Sequence, residues 1–537
     1  MCRIEFCLLV FSISIIDAST LNGAQPSSRN NELKQFPSDF LFGAATSSYQ
    51  IEGAWNEGGK GWSMWDHLVR TAPEHIADNT TGDVASNSYY FYKRDVQILK
   101  ELGVNIYRFS ISWPRILPYG RPDYVNREGV DYYNNLINEL LANDITPFVT
   151  MYHWELPQNL NERGGWLTRD TDDENIIDWF GDYARVLYRE FGDRVKHWLT
   201  INEPYIHCNH GYGYANHAPR RSSPGEGYYE CGRNILLAHA RAYHIYKEEF
   251  SQGGQVGIVL SCDWAMPSTD SEADAQAVLD YFDFHFGIYM DPIFSPQGNQ
   301  PQSLIDRIAN MSAAQGYSES RLRPFTEEQI DYMRGTSDFL ALNHYTSYIV
   351  YKNESVNGMY VVPSHNDDAQ IGMYRDPSWL QSISPWLYGY PAGLHNLLVY
   401  IKNKYNSPTI YITENGFSSN PGLIDNDRVT YYRGYLNAVL DALDDGVDVR
   451  GYCAWSLMDN FEWAAGFTVR FGLYQVDMND PERPRTPRKS ALVYKEIIRS
   501  RVIDPEYNPD PYETDGSYVI KTSCVFVITL ALLNIVL

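Results

Sequence analysis

Positive charge is in short supply. The 537-residue chain carries 43 Lys and Arg against 67 Asp and Glu, a formal net charge of −24. A field of that sign disfavours nucleic acid and anionic membrane surfaces as partners. Nucleotide signatures are also missing. No GxGxxG follows a strand-like run, no GxxxxGK[ST] occurs, and Gly58-Gly59-Lys60-Gly61 only superficially suggests a phosphate loop. HExxH and GxSxG are absent, which sets aside zincins and α/β-hydrolases. Long repeats and low-complexity tracts are lacking. Long apolar runs are lacking too. Those from Phe6 to Ile16 and from Val525 to Leu537 fall short of the roughly 20 residues of a relaxed membrane-spanning helix.

The two short runs lie at the ends of the chain. Arg3 precedes the first and Ala18 offers a cleavage point, so residues 1–18 read as a secretory signal peptide. Asp515-Gly516-Ser517, a short spacer and the second run read as a GPI-anchor signal within a tail of residues 504–537. The alternative is a tail that stays hydrophobic or is trimmed. The expected location is secreted or on the extracellular surface, with membrane contact only through that lipid anchor.

Cysteine is sparse as well. Of seven, Cys2 and Cys7 fall in the signal and Cys524 in the tail. Cys208 and Cys231 flank a Gly/Pro/Tyr-rich loop and are the expected disulfide. Cys262 and Cys453 sit inside apolar runs, as buried thiols do. Asn79, Asn310 and Asn353 begin glycosylation sequons.

Eight strand-like runs are present: 40–46, 105–113, 146–155, 197–203, 255–264, 337–346, 409–414 and 449–458. They are nearly continuous in apolar residues, as strands buried on both faces are. Helical periodicity separates several of them. Tyr92, Val96, Leu99 and Leu102 make one face, and Tyr133, Leu136, Ile137, Leu140 and Leu141 another. The pattern predicts an α/β protein, a single (β/α)8 barrel over residues 36–503, with a doubly wound sheet as the alternative. Long loops are expected after Glu203, Met266 and Asn353, on the C-terminal face where such barrels place their sites.

Two of the runs stop at a glutamate followed by a breaker: Thr200-Ile201-Asn202-Glu203-Pro204 and Ile412-Thr413-Glu414-Asn415-Gly416. A carboxylate at the end of a buried strand is costly unless solvated, paired or used. Other polar residues end strands on the same rim. They are Gln50, Arg108, His153, Asn202, Asn343 and Tyr345, joined by Trp455, Glu462 and Trp463 at the eighth. Paired carboxylates at about 5–5.5 Å break a glycosidic bond with retention, one as nucleophile and the other as acid then base. Arg108 and Tyr345 are suited to keep Glu414 ionised. Burial or the Glu414 charge should keep Glu203 protonated.

At these residues the chain resembles glycoside hydrolase family 1, the β-glucosidase family. The matching stretches run from Phe40 to Gly53, Tyr107 to Arg115, Thr200 to Pro204, Ile412 to Gly416 and Trp455 to Trp463. The resemblance implies a single (β/α)8 barrel and retention, with Glu203 as acid/base and Glu414 as nucleophile. It implies Gln50, His153, Asn202, Glu462 and Trp463 as ligands of the non-reducing sugar, Trp455 stacked on it, and Trp386 at the aglycone entrance. Tyr345 is implied as the nucleophile's partner. Neither metal nor cofactor is implied. His344 stands where many members have Tyr. Glu203, which is Gln in plant thioglucosidases, argues against that type. The negative Glu462 argues against a 6-phosphorylated sugar. The expected function is hydrolysis of β-linked glucosides of small aglycones or oligosaccharides. A thioglucosidase or transglycosylase using the same site is the alternative, and a sugar- or partner-binding barrel without turnover is the least favoured.

Overall fold

The computed structural model of the chain describes residues 33–353, 355 and 363–513. The proposed signal peptide, most of the proposed anchor tail, and Glu354 of the third sequon lie outside the described residues. From Lys34 onward the described residues form one compact unit.

Eight parallel strands close into a barrel in chain order. They are β1 (Leu41–Ala45), β2 (Ile106–Ser110), β3 (Thr146–Tyr152), β4 (His197–Asn202), β5 (Gln255–Ser261), β6 (Leu340–Asn343), β7 (Ile410–Asn415) and β8 (Val449–Trp455). β8 pairs back with β1, from Leu41 opposite Gly451 to Ala45 opposite Trp455. The barrel, not the doubly wound sheet, is therefore the architecture. Helices follow the strands: α1 (Ser88–Leu102), α2 (Arg127–Ala142), α3 (Ile176–Phe191), α4 (Gly227–Ile245), α5 (Glu272–Phe282), α6 (Pro391–Lys404), α7 (Asn426–Asp444) and α8 (Lys489–Ser500).

Sequence pattern explains most of these choices. In α1, Val96, Leu99 and Leu102 are buried. In α2, Tyr133, Leu136, Ile137 and Leu140 are buried, whereas Leu141 is 40% exposed, against expectation. Leu141 follows Leu140 by one residue and so turns about 100° from it, off the buried stripe. The second run ends early, at Ser110, because Pro114 favours the first turn of a helix and Trp113–Ile116 takes that form. Leu199, Val259, Phe339 and Ala341 form their own apolar cluster, with Tyr411 packed on it. It draws on each of β4 to β7.

The loop expected after Met266 is partly structured. Trp264–Pro267, Ser347–Lys352 and Ile371–Tyr374 make a three-stranded sheet, and Ser271 caps α5 through the Asp274 amide. The Glu203 loop carries the short helix Pro204–Cys208. Cys208 and Cys231 are disulfide-bonded with Cα atoms 5.6 Å apart, and Cys262 and Cys453 are buried free thiols. Among the described residues no helix is long and apolar enough to cross a membrane.

Candidate active site

A register irregularity precedes each glutamate. Along β4 and β5, Leu199 pairs with Gly257 but Asn202 with Val259, so β4 spends one extra residue just before Glu203. Along β7 and β6, Ile412 pairs with Leu342 but Glu414 with Asn343, again one residue extra. Such bulges turn a side chain that would otherwise follow the pleat. Glu203 itself adopts a left-handed backbone (φ 47°), as do Trp154 (φ 63°) and Trp463 (φ 49°). Non-glycine residues hold that conformation at a cost of about 1–3 kcal/mol and concentrate at functional sites.

The two carboxylates face one cavity of about 500 Å³, whose wall also includes His153, Trp154, Asn343, Tyr345, Trp386, Trp455, Glu462 and Trp463. The hydrogen bonds beneath that wall differentiate the pair. Arg108, fully buried on β2, reaches three other strands: Nη1 donates to Glu414 Oε1, Nη2 to Asn202 Oδ1 (2.6 Å), and Nε to Thr150 Oγ1 (3.1 Å). Tyr345 Oη donates to Glu414 Oε2 (2.6 Å). Both Glu414 oxygens thus accept strong donors, one of them a cation. The Tyr345 carbonyl is held by the Tyr431 (2.8 Å) and Tyr435 (3.2 Å) hydroxyls from α7.

Glu203 receives a neutral donor. Asn343 Nδ2 donates to its Oε1 (2.9 Å) and to Asn202 Oδ1 (3.2 Å), while Asn343 Oδ1 accepts from Thr413 Oγ1 (2.8 Å). Burial, and then the Glu414 charge, push the Glu203 carboxyl well above the usual carboxylate range, against the opposing Asn343 hydrogen bond and Arg108. The two carboxyls thus stand in opposite surroundings.

Not every candidate sits on the wall. Gln50 and Asn202 are fully buried and lie one hydrogen bond behind it. Gln50 Nε2 donates to Glu462 Oε2 and Asn460 Oδ1, both at 3.1 Å, and its Oε1 accepts from Ser47 (2.7 Å). Asn202 Nδ2 donates to His153 Nε2 (3.1 Å), which puts the imidazole proton on Nδ1. Burial and Arg108 hold His153 well below its ordinary range, so it is neutral. Glu462 is pushed up to about 8 by burial and the Glu414 charge. The Trp386 ring is 41% exposed, lies edge-on to Tyr345 and stacks on Phe471.

Residues 32–502 match the profile of "Glycosyl hydrolase family 1". The chain belongs to that family. Myrosinase 1 of Brevicoryne brassicae is 43% identical over 469 residues, covering 86% of this chain and 98% of the relative. Beta-glucosidase 12 of Oryza sativa subsp. japonica is 42% identical, covering 91% and 98%. Among solved structures, that of aphid myrosinase aligns with a TM-score of 0.82 at 42% identity over 87% of this chain and all of that one. The β-glucosidase of the fungus Humicola insolens, solved with glucose, aligns at 0.79 and 37%, covering 88% and 100%. This family 1 chain is thus a glycoside hydrolase built on a (β/α)8 barrel.

Sequence reading of this hydrolase missed part of its wall: Ile206, His210, His217, Ser261, Asp263, Tyr348 and Phe471. Asp263 was within reach. It is a carboxylate one residue before the end of the 255–264 run, a signal akin to that of Glu203 and Glu414. Ser261 ends β5, whereas Ile206, His210 and Tyr348 belong to short elements after the barrel strands and His217 and Phe471 to loops, whose courses one sequence does not fix.

Proposed function

We infer that the protein hydrolyses β-glucosides with retention of configuration. One observation carries the reading: two carboxylates on one cavity have opposite surroundings, Glu414 between a buried guanidinium and a tyrosine hydroxyl, Glu203 buried against a neutral amide. Glu414 attacks the anomeric carbon, while Glu203 protonates the departing oxygen and then deprotonates water. His153, Glu462 and Trp463 meet the sugar hydroxyls, with Gln50 and Asn202 reached once substrate displaces their present partners. Trp455 floors the ring. Arg108 and Asn343 support the nucleophile and the acid, and Trp386 flanks the leaving group. Beta-glucosidases among the relatives support glucose as the sugar.

The test is hydrolysis of an activated aryl β-glucoside. Glu414→Gln should lose several orders of magnitude. Glu203→Gln should lose kcat/KM with poor leaving groups and regain it with good ones, which need no acid, while kcat stays low because the second step still lacks its base. Unchanged turnover in Glu414→Gln refutes the reading. Thioglucoside hydrolysis and transfer to other acceptors remain open to the same intermediate, and comparing O- and S-glucosides with product analysis separates them.

Secretion is the second part of the proposal. The Cys208–Cys231 disulfide supports it, as do the exposed Asn79 and Asn310. Asn353 is half-buried. Enzymatic deglycosylation should shift the mass of the secreted protein, and phospholipase treatment of intact cells should release it if the tail carries a lipid anchor.

A further inference from the structure

The sugar's ligands account for only part of the cavity wall. The remainder includes Asp263 with Tyr348, Trp386, His210, His217 and Asn216. Asp263 lies just past β5. Its Oδ1 accepts from the backbone N–H groups of Tyr345 (3.4 Å) and Thr346 (3.2 Å). Its Oδ2 has no hydrogen-bond partner among the described residues. Asp263 is partly exposed to the cavity, so this oxygen is placed to accept from a donor on a bound molecule.

The charges around Asp263 are one-sided. None of the described residues on the cavity wall is Lys or Arg. Arg375 is the cation whose field reaches Asp263. It stands behind Tyr348, donating to that hydroxyl and lying 4.4 Å over its ring. Burial holds His210 and His217 below the ordinary imidazole range, hence neutral near pH 7, and Tyr348 is pushed up to about 12. Glu203 shares the wall, and Asp263 adds to the fields that hold its proton. Arg108 is committed to Glu414 and Asn202. Nothing on this side can neutralise an incoming anion, and one carboxylate oxygen is open to a donor.

We propose that Asp263 is a specificity residue for the leaving group: it accepts a hydrogen bond from aglycones presenting a hydroxyl or amide donor and turns away aglycones carrying negative charge. The proposal deepens the β-glucosidase reading and rests on it. A unit charge a few ångströms from Asp263 across a partly wetted wall meets repulsion worth roughly five- to tenfold in kcat/KM.

The test compares 3-carbamoylphenyl and 3-carboxyphenyl β-glucosides, near-isosteres that differ by one charge. The ratio of kcat/KM, carboxylate over amide, is measured at pH 7.5 and low salt. Asp263→Asn should raise that ratio roughly five- to tenfold over the wild type. Asp263→Glu, which keeps the charge, should leave it low. In the wild type, added salt should raise the ratio, a readout that needs no variant to fold. If both substrates turn over and neither Asp263→Asn nor salt moves the ratio, the specificity role is overturned while the hydrolase reading stands. If the wild type turns over neither β-glucoside, both fall.

Discussion

Glu462 gives the most direct physical test of how the cavity is built. Its carboxyl is pushed from 4.5 to about 8, first by burial and then by the Glu414 charge. The folded protein therefore holds this proton more tightly than the unfolded chain does. The sign follows from linkage: where the native state binds more protons, stability falls as pH rises. The contribution is fully present below about pH 4.5 and is lost as pH climbs through about 8. Integrated between pH 5 and pH 8, the shift corresponds to about 3.5 kcal/mol. Part of the Glu462 surface faces the cavity, where water relieves some of the penalty, so the expected loss is about 2–3 kcal/mol. Glutamine has a similar shape, can still accept from Gln50, and does not titrate. Melting temperatures of wild type and Glu462→Gln are measured at pH 5 and pH 8. A protein of this size unfolds with an entropy of roughly 1 kcal/mol/K, so the wild type should lose about 2–3 °C more than the variant over that interval. Glu203 titrates in the same direction but is present in both proteins, so it cancels. Parallel pH curves for the two would refute the premise that Glu462 is buried against a second negative charge.

The same carboxylate environments set the other expectations. With Glu203 as the proposed acid and its pKa raised, kcat/KM on an aryl glucoside should fall on the alkaline side, and Glu203→Gln should lose that limb. Arg108→Met leaves Glu414 buried without its cation, which should cost about 3–5 kcal/mol in denaturant or thermal unfolding at neutral pH. Replacing Cys208 and Cys231 by serine opens a loop with a sequence separation of 23 residues and should cost about 3 kcal/mol, read as a lower melting temperature under oxidising conditions only.

How far the sequence carries toward this site depends on where each part of the information lies. A barrel strand is buried on both faces, so it writes an unbroken apolar run, and all eight were legible. Their ends were not. The run from 337 shrinks to Leu340–Asn343 and the run to 458 stops at Trp455, because ladder hydrogen bonds, not apolarity, define a strand's end. Between β5 and β6 the chain folds four helices: Glu272–Phe282, Ile288–Phe294, Gln302–Ala314 and Glu327–Met333. A capping box at Thr326 and Gln329 marked the last one locally, yet the apolar stripes there are short. Among site residues, those ending strands could be placed from the one-dimensional pattern, since a barrel gathers every strand's C-terminal end on one rim. Which candidates touch the cavity could not be. Gln50 and Asn202 lie behind its wall, and His210, His217 and Phe471 lie on it.

That division has a physical reason with consequences for function. The groups recognised from sequence, Arg108, Asn202, Asn343, Glu203 and Glu414, belong to or directly follow strands whose register the barrel fixes, and one network from Thr150 to Tyr345 holds them. Each side chain in it satisfies another, so a change at any point leaves a buried polar group unpaired. Chemistry housed in such a network is hard to alter piecemeal. The aglycone side is built differently. Asp263, Tyr348 and Trp386 stand on separate segments between barrel strands, Asp263 tied to backbone, Tyr348 to Arg375, and Trp386 to the rings of Tyr345 and Phe471. A substitution there disturbs few other contacts. The leaving group a family 1 hydrolase accepts can therefore change while its attack on the anomeric carbon does not, and it is on that side that this chain's own specificity has to be measured.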